Sequence, residues 1–262
     1  MSTLLSTADY NGMVMDFSKR LSRGLFLSGA YTWSKNIDQG STTFSSNETN
    51  NGAENPYPFI PRLNRGPSDY DIRHNFVAHF TWDIPASSSF TGASKALLTG
   101  WALGGIFSAR TGPPFSVSLT ADLARTGNRR QRQNGAQRPN FNPAPGCSTN
   151  AINPGNPSNY IKTECFSVPA AGEIGNLGRG TLRQPGLRDF DPSLFKTWAF
   201  LGEKAKLQFR AEAFNLFNHA NFQKGKTTVF DGRGNVIPTA TLISPPTLTN
   251  AREIQFGLRM NW

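Results

Sequence analysis

Long stretches in which apolar and polar residues alternate are the dominant pattern of this sequence. Residues of one parity are apolar and their neighbours are polar, as in a β-strand whose side chains point alternately to two faces. The clearest example runs from 72 to 84 and places Phe76, Phe80 and Trp82 on one side. The alternation predicts seven strands, at 12–21, 25–34, 72–84, 101–111, 188–198, 206–213 and 253–262.

The predicted strands are longer than those of most soluble proteins. The best of them span about 11–13 residues, whereas strands of globular proteins most often have about 5–6. A tilted strand that crosses a bilayer needs about 9–11 residues. No apolar run reaches the roughly 18 residues of a transmembrane helix, and 94–99 is expected to form one helical turn at most. The sequence therefore predicts an all-β fold, an antiparallel transmembrane β-barrel segment.

The connections between the predicted strands alternate in length. The shorter ones are 21–24, 85–100 and 199–205, and the longer ones are 36–70, 112–187 and 218–249. Outer-membrane barrels alternate short periplasmic turns with long extracellular loops. Loops longer than about 12–15 residues are uncommon in compact soluble domains. A soluble β-sandwich, whose strands also have one apolar face, remains the alternative fold.

The strongly basic balance does not indicate a nucleic-acid partner. The net charge is +10 and the isoelectric point is about 10.0, yet charged residues are only 17% of the chain. The basic residues are dense only in 125–138, and that stretch has no aromatic residue on which a base could stack. We therefore expect a solvated loop there and no binding of nucleic acid.

No arrangement of residues typical of an enzyme is present, so neither a catalytic activity nor a cofactor is expected. The chain has no Gly-x-Ser-x-Gly elbow, and Asp189 with Asp191 on one strand is a weak signal for a paired-carboxylate site. Gly175, Gly178 and Gly180 resemble a phosphate-binding loop, but no helix follows them. We interpret these glycines as turn residues before a strand.

Two cysteines, Cys147 and Cys165, lie in the longest connection. A metal site would need more ligands, and no histidine is nearby in the sequence. A redox pair usually has a closer spacing. A structural disulfide is therefore expected, because a loop outside the cell faces an oxidising environment.

The last eight residues, QFGLRMNW, resemble the C-terminal signal that the outer-membrane barrel-assembly machine reads. The signal positions are Gln255, Gly257, Met260 and Trp262. Four further segments resemble one family: 25–35 (LFLSGAYTWSK), 70–80 (YDIRHNFVAHF), 175–185 (GNLGRGTLRQP) and 210–222 (RAEAFNLFNHANF). Together these segments, which extend over nearly the whole chain, resemble the C-terminal barrel region of TonB-dependent receptors of the Oar-like group.

This resemblance implies a 22-stranded barrel in the outer membrane, filled by an N-terminal plug on which the TonB complex pulls. No segment of the chain resembles the plug, so residues 1–262 are expected to be the C-terminal part of such a barrel, with the plug domain absent. The expected partners are outer-membrane lipid, the barrel-assembly machine, an unidentified substrate and, only through the missing plug, the TonB complex. A passive porin-like barrel and a secreted carbohydrate-binding β-sandwich remain the alternatives.

The parity of each strand predicts which side chains face lipid and which face the lumen. Charge on the lipid face of a barrel is costly, whereas the lumen is wet. The residues expected to face lipid are Phe76, Phe80, Trp82, Leu207, Phe209, Ile254, Phe256 and Leu258. The main lumen-lining candidates are Arg73, His79, Gln208, Arg210 and Glu212, with Asn75, Asp83, Gln255 and Arg259 on the same side.

Overall fold

One antiparallel sheet of long strands forms the main part of the structure, which is a computed structural model. The structure describes residues 7–41, 57, 60–87, 89–120, 122–125, 137–200, 205–223, 225, 227–238, 243 and 248–262. Its long strands are β1 (Ala8–Arg20), β2 (Leu25–Asp38), β3 (His74–Asp83), β4 (Trp101–Arg110), β5 (Leu187–Phe200), β6 (Ala205–Phe214) and β7 (Glu253–Asn261). They are adjacent in chain order, and Gly66–Pro67 pairs beside the end of β2.

The predicted all-β antiparallel sheet is confirmed, with all seven strands at the expected places. The bounds differ by a few residues. The first strand begins at Ala8 rather than 12, and the third begins at His74 rather than 72. No helix in the described part of the chain is long and apolar enough to cross a membrane.

The register divides the sheet into two chemically different faces, because directly paired residues of neighbouring strands point to the same side. One row of paired residues is apolar from β2 to β7: Leu25, Trp82, Leu103, Leu194, Ala211 and Phe256. The row beside it on the opposite side is Phe26, Thr81, Gly104, Ser193, Glu212 and Gln255. We call these sides the apolar face and the polar face.

The apolar face carries fewer charges than the polar face. Its charged residues are Asp9, Lys19, Lys35, Arg188 and Lys196. The polar face carries more than twice as many: Asp16, Arg20, Asp38, Asp83, Arg110, Asp189, Asp191, Lys206, Arg210, Glu212, Glu253 and Arg259. On the outermost strand, Phe256 and Leu258 of the apolar face are each 69% exposed. A broad exposed apolar surface of this kind is suited to contact with lipid.

The tryptophans of the apolar face are staggered in register, as expected for tilted strands with an aromatic belt at one interface. Trp82 lies on β3, Trp101 on β4 and Trp198 on β5, and Trp262 follows β7. The register partner of Trp82 on β4 is Leu103, two residues from Trp101, and the partner of Trp101 on β5 is Lys196, two residues from Trp198. Across β6, Trp198 is level with Met260 of β7, two residues from Trp262. If they share one level, the stagger is about 1.5 residues per strand. With about 3.3 Å per residue and about 4.8 Å between strands, this corresponds to a tilt of about 45°, as in membrane barrels.

A short helix closes the connection between β3 and β4. We expected one turn at most at 94–99, and this expectation was wrong, because a helix spans Gly92–Leu98. Its last turn is held from outside, since the indole N–H of Trp101 donates to the Leu97 carbonyl (2.8 Å) and that of Trp198 to the Ala96 carbonyl (3.0 Å). These donors satisfy carbonyls that have no partner within the helix.

At the other end of the sheet, the long connections fold together over the strand ends. We call the described parts of 39–73, 111–186 and 215–252 the loop cap. It contains the helix Pro61–Asn64 and the 3₁₀ turns Pro157–Asn159 and Thr163–Cys165. Its short strands pair as Pro114–Phe115 with Leu182–Arg183, Ser118–Leu119 with Thr228–Phe230, and Asn140–Phe141 with Phe166–Ser167.

The loop cap has a hydrophobic core of its own, which the sequence analysis did not predict. The fully buried apolar side chains include Val117, Leu119, Leu182 and Val229, from two different connections. Both connections are needed to enclose this core. The long loops are therefore packed against one another rather than extended separately into solvent.

Labelling of single cysteines introduced into the intact protein tests the assignment of the two faces. Cysteines that replace Phe80 and Phe256 should react with lipid-soluble probes, because the apolar face contacts the hydrocarbon. Cysteines that replace Gln208 and Gln255 should react with water-soluble probes, because the polar face is hydrated. Equal protection of the first pair from both kinds of probe would contradict a lipid-facing surface.

Candidate functional site in the loop cap

A buried arginine connects the first two long connections to the end of β2. Arg179 is only 1% exposed, and its guanidinium forms an ion pair with Asp38. It also donates to the Ser41 hydroxyl and to the backbone oxygens of Asp38 (3.0 Å) and Asn64 (3.2 Å). Because these acceptors come from separate parts of the chain, Arg179 fixes how the first connection lies against the second.

The glycine after Arg179 allows this close packing. Gly180 has a φ of +63°, and a Cβ atom there would lie 2.9 Å from the Pro67 carbonyl oxygen. The sequence analysis interpreted Gly175, Gly178 and Gly180 as turn residues, but it did not identify Arg179, between the last two, as a buried residue. The Gly-Arg-Gly order was the available signal, because a long side chain between two small residues can enter a tightly packed region.

A buried carboxylate joins two further arginines at the base of the loop cap. The side chain of Asp71 is fully buried, and it accepts hydrogen bonds from Arg73 (3.0 Å), from Arg183 and from the Asn36 backbone N–H (2.7 Å). Burial alone would raise the pKa of Asp71, but these hydrogen bonds outweigh burial and hold its pKa below the ordinary value. Asp71 therefore keeps its charge because three donors replace the water it has lost.

A second fully buried arginine, Arg138, has no carboxylate among its contacts in the described residues. Arg138 donates from Nε to the Leu177 carbonyl (2.8 Å) and from Nη2 to the Leu63 carbonyl, and it lies 5.1 Å from the centre of the Tyr57 ring. Burial lowers the pKa of Arg138 to about 10. The side chain thus stays protonated at neutral pH, with carbonyl dipoles and an aromatic face as its partners.

The two cysteines form a disulfide within the second long connection. Cys147 and Cys165 are bonded, and the Cys165 side chain lies in the hydrophobic core of the loop cap. The bond ties the surface of this connection to its interior. No cysteine in the described part of the chain is free.

A cavity of about 960 Å³ lies where the loop cap meets the ends of β3, β4 and β5. The basic residues of its lining are Arg73, Arg110, Arg183 and Arg188, with His74 and His219. Apolar side chains, among them Phe76, Ile152 and Phe222, line the rest. Among the described residues that line this cavity, none is an aspartate or a glutamate.

The lumen-lining candidates lie in two separate places. Arg73 precedes β3 at the base of the loop cap, where it contacts Asp71. His79 lies on the polar face in the middle of β3, opposite Ser28 and Ile106, with its ring 5.7 Å from that of Phe26.

The other three candidates, Gln208, Arg210 and Glu212, follow one another along the polar face of β6. Arg210 donates from Nε to the Gln208 side-chain oxygen (2.9 Å), and its guanidinium lies 5.4 Å from the centre of the Phe195 ring. Glu212 is paired in register with Ser193 and Gln255. Arg210 thus pairs with an adjacent polar group and forms no ion pair with Glu212.

The C-terminal signal residues occupy the last strand and its end. Gln255 and Gly257 lie on the polar face opposite Glu212 and Arg210, whereas Met260 lies on the apolar face opposite Leu207. Trp262 is 92% exposed. In the described part of the chain β7 has one neighbour, β6, so its other edge carries unpaired backbone groups. A free strand edge of this kind can pair with another strand.

A comparison with known families explains this architecture. A family model described as an outer membrane beta barrel domain matches residues 3–255. The chain belongs to this family. The predicted outer-membrane location is thereby confirmed, and the β-barrel is favoured over the β-sandwich. No curated protein matches the barrel domain.

The barrel domain shows no preformed metal site in its described residues, since no three His, Cys, Asp or Glu side chains cluster there. The basic stretch 125–138, which we interpreted as a solvated loop, lies mostly outside the described residues, but its last residue, Arg138, is buried in the loop cap, so the interpretation was wrong there. Sequence reasoning missed three features: the three buried arginine contacts, the cavity and the core of the loop cap. All depend on contacts between distant parts of the chain.

Replacing Asp71 by asparagine should open the loop cap in a pH-dependent manner. At pH 7 the variant loses charge-assisted hydrogen bonds, and the free energy of opening should fall by about 1–3 kcal/mol. The pKa of Asp71 is lowered in the folded state, so its contribution is present above the ordinary aspartate pKa of about 3.9 and is lost as the pH falls through the folded value. Hydrogen exchange of cap amides should therefore distinguish the two proteins at pH 7 and not in acid.

The matched control for Asp71 is Glu173→Gln, which removes an exposed carboxylate from the second long connection of the loop cap. This variant should leave cap exchange unchanged at every pH. Equal effects of the two substitutions would show that net charge, rather than the buried contacts of Asp71, holds the cap closed.

Removing the disulfide should destabilise the second long connection. The bond closes a loop with a sequence separation of 18, for which chain entropy predicts a loss of about 3 kcal/mol in the Cys147→Ala/Cys165→Ala variant. The loss should appear as faster exchange of the Leu119 amide, which bonds to the Gln137 carbonyl in the cap. Reduction of the disulfide in the wild-type protein should also speed the exchange of this amide. An unchanged exchange rate in both the variant and the reduced protein would contradict a stabilising role of the disulfide.

Proposed function

We propose that the barrel domain is part of a TonB-dependent outer-membrane receptor of the Oar-like group, which takes up an unidentified substrate. The proposal is supported by the family match and by the segments that resemble this group. The observation that carries it is the folded loop cap over a polar, charged barrel face. A receptor needs an ordered external surface to recognise cargo, together with a wet inner wall.

The order of the loop cap favours a receptor over a passive porin-like barrel. Arg179 and Asp71 fix the first connection against the second by buried ion pairs, and the hydrophobic core joins the second to the third. Breaking a buried ion pair is costly. Such a cap is suited to hold binding groups in fixed positions, whereas a passive pore needs only an unobstructed mouth.

Liposome swelling tests the distinction between receptor and porin. The complete protein that carries this domain, purified from outer membranes, is reconstituted into liposomes in an osmotic gradient of glucose or raffinose. A plugged receptor should give no swelling above that of empty liposomes. Rapid swelling with glucose would contradict energy-coupled uptake and favour the porin.

We further propose that the sheet is one sector of a larger, 22-stranded barrel. In the described residues β1 and β7 each have one neighbour, and in lipid every unpaired backbone group costs several kcal/mol. A closed barrel removes both edges.

Residues 1–262, refolded alone in a planar bilayer, should therefore produce no discrete ion conductance. The complete protein, tested in the same detergent and bilayer, is the control for refolding. A stable conductance step from the isolated chain would show that it closes by itself and would contradict the larger barrel.

A further inference from the structure

Strand residues of the apolar face line most of the strand side of the cavity beneath the loop cap. Four residues of that face line it: His74, Phe76, Ala109 and Arg188. Arg110 and Leu187, a register pair of the polar face at the very ends of β4 and β5, also contribute. The other polar-face residues at this level, Asn75, Ser108 and Asp189, do not line it. Along the strands, the cavity therefore lies mainly on the lipid side of the barrel.

The position of the cavity along the strands corresponds to the edge of the membrane. Arg188 and Trp198 lie on the same face of β5, ten residues apart. At about 3.3 Å per residue and a tilt of about 45°, they are separated by about 23 Å along the membrane normal. The apolar band of an outer-membrane barrel is about 25 Å tall. With Trp198 at one interface, Arg188 and the cavity lie at the other.

The loop cap identifies which interface this is. The long connections lie at the cavity end of the sheet and the short ones at the tryptophan end. In outer-membrane barrels the long loops are extracellular. The cavity therefore lies at the level of the headgroups of the outer leaflet.

The chemistry of the lining is that of a site for an anion with an apolar part. The guanidiniums of Arg110 and Arg188 make no hydrogen bond or ion pair with the described residues, so both are available to a ligand. Arg73 and Arg183 share Asp71, which itself lies outside the lining. Guanidinium groups bind phosphate through paired hydrogen bonds.

The apolar part of the lining completes the fit. Besides the arginines, the lining includes Phe76, Ile152, Phe222 and Ile243. A free inorganic anion would leave these side chains without a partner, whereas a hydrocarbon chain would cover them.

We propose that this cavity binds a phosphate-bearing lipid of the outer leaflet, with the phosphate at Arg110 and Arg188 and the start of an acyl chain on the apolar lining. Its effect would be to anchor the loop cap to the membrane surface, since the cavity joins cap residues such as Tyr160 to the strand ends. The inference depends on the placement of the barrel in the outer membrane and not on the uptake proposed above.

Lipid titration of the purified complete protein in detergent tests the site. The probes are diphosphorylated lipid A, the same lipid without its phosphates, and inorganic phosphate. Wild-type protein should bind the phosphorylated lipid, and Arg110→Gln/Arg188→Gln should weaken this binding by about 100-fold, or about tenfold for each guanidinium. Arg110→Lys/Arg188→Lys should lose less, because the charge remains while the paired geometry is lost.

The matched control is Arg20→Gln, which removes a positive charge from the polar face at the opposite end of the sheet. It should bind the lipid as the wild type does. All variants are first checked for the heat-modifiable gel mobility of folded barrels.

Three outcomes would overturn the proposal. The first is equal binding of the lipid with and without phosphate, which would leave the arginines without a role. The second is inorganic phosphate binding as tightly as the lipid and with the same loss in the double glutamine variant, which would indicate a site for free anions. The third is unchanged lipid binding in that variant. None of these outcomes bears on the swelling test of uptake.

Discussion

The requirement that every backbone N–H and C=O in the hydrocarbon has a partner determines most of this structure. Strands cannot end, loop out or change face within the membrane, so each must be long and continuously paired. The seven strands are therefore adjacent in chain order, with each pair in an unbroken antiparallel register. Once this register is set, side chains alternate between the lipid side and the water side along each strand. The alternation of apolar and polar residues in the sequence therefore produces the two faces of the sheet.

The loop cap lies outside the hydrocarbon, so its backbone does not need continuous strand pairing. Instead, buried pairs of charged side chains hold its segments together. Arg179 with Asp38, and Asp71 with Arg73 and Arg183, use ion pairs to fix one connection against another. Such contacts contribute little net free energy compared with apolar packing of the same volume, but removing one partner leaves a buried charge unsatisfied. They therefore fix which loop arrangement forms, while the apolar core around Val117 and Leu182 supplies the driving force.

This contrast explains why the strands could be predicted from the sequence and the cap could not. Strand positions depend on local alternation, so β4 begins at Trp101 as predicted and β7 begins at Glu253 as predicted. The partner of Arg179 is Asp38, 141 residues away, and no local pattern indicates a pairing over that distance. The same holds for the cavity, whose lining comes from six separate segments of the chain. The disulfide was expected because a loop outside the cell faces an oxidising environment, and with only two cysteines in the chain one pairing was possible.

Two charged residues of β5 lie on the apolar face, and their positions indicate where the strand reaches the membrane interfaces. Lys196 lies on the apolar face, yet its side chain is buried beside Trp101 and Trp198, 5.5 Å and 5.2 Å from the ring centres, and its Nζ donates to the Thr99 carbonyl. Aromatic faces and a carbonyl at the end of the strand replace the water that this cation would otherwise need. At the other end of β5, Arg188 lies beside the basic cavity, where water and headgroups are available. Two lipid-side cations on one strand thus lie near the two interfaces, and each is accommodated by a different set of polar or aromatic partners.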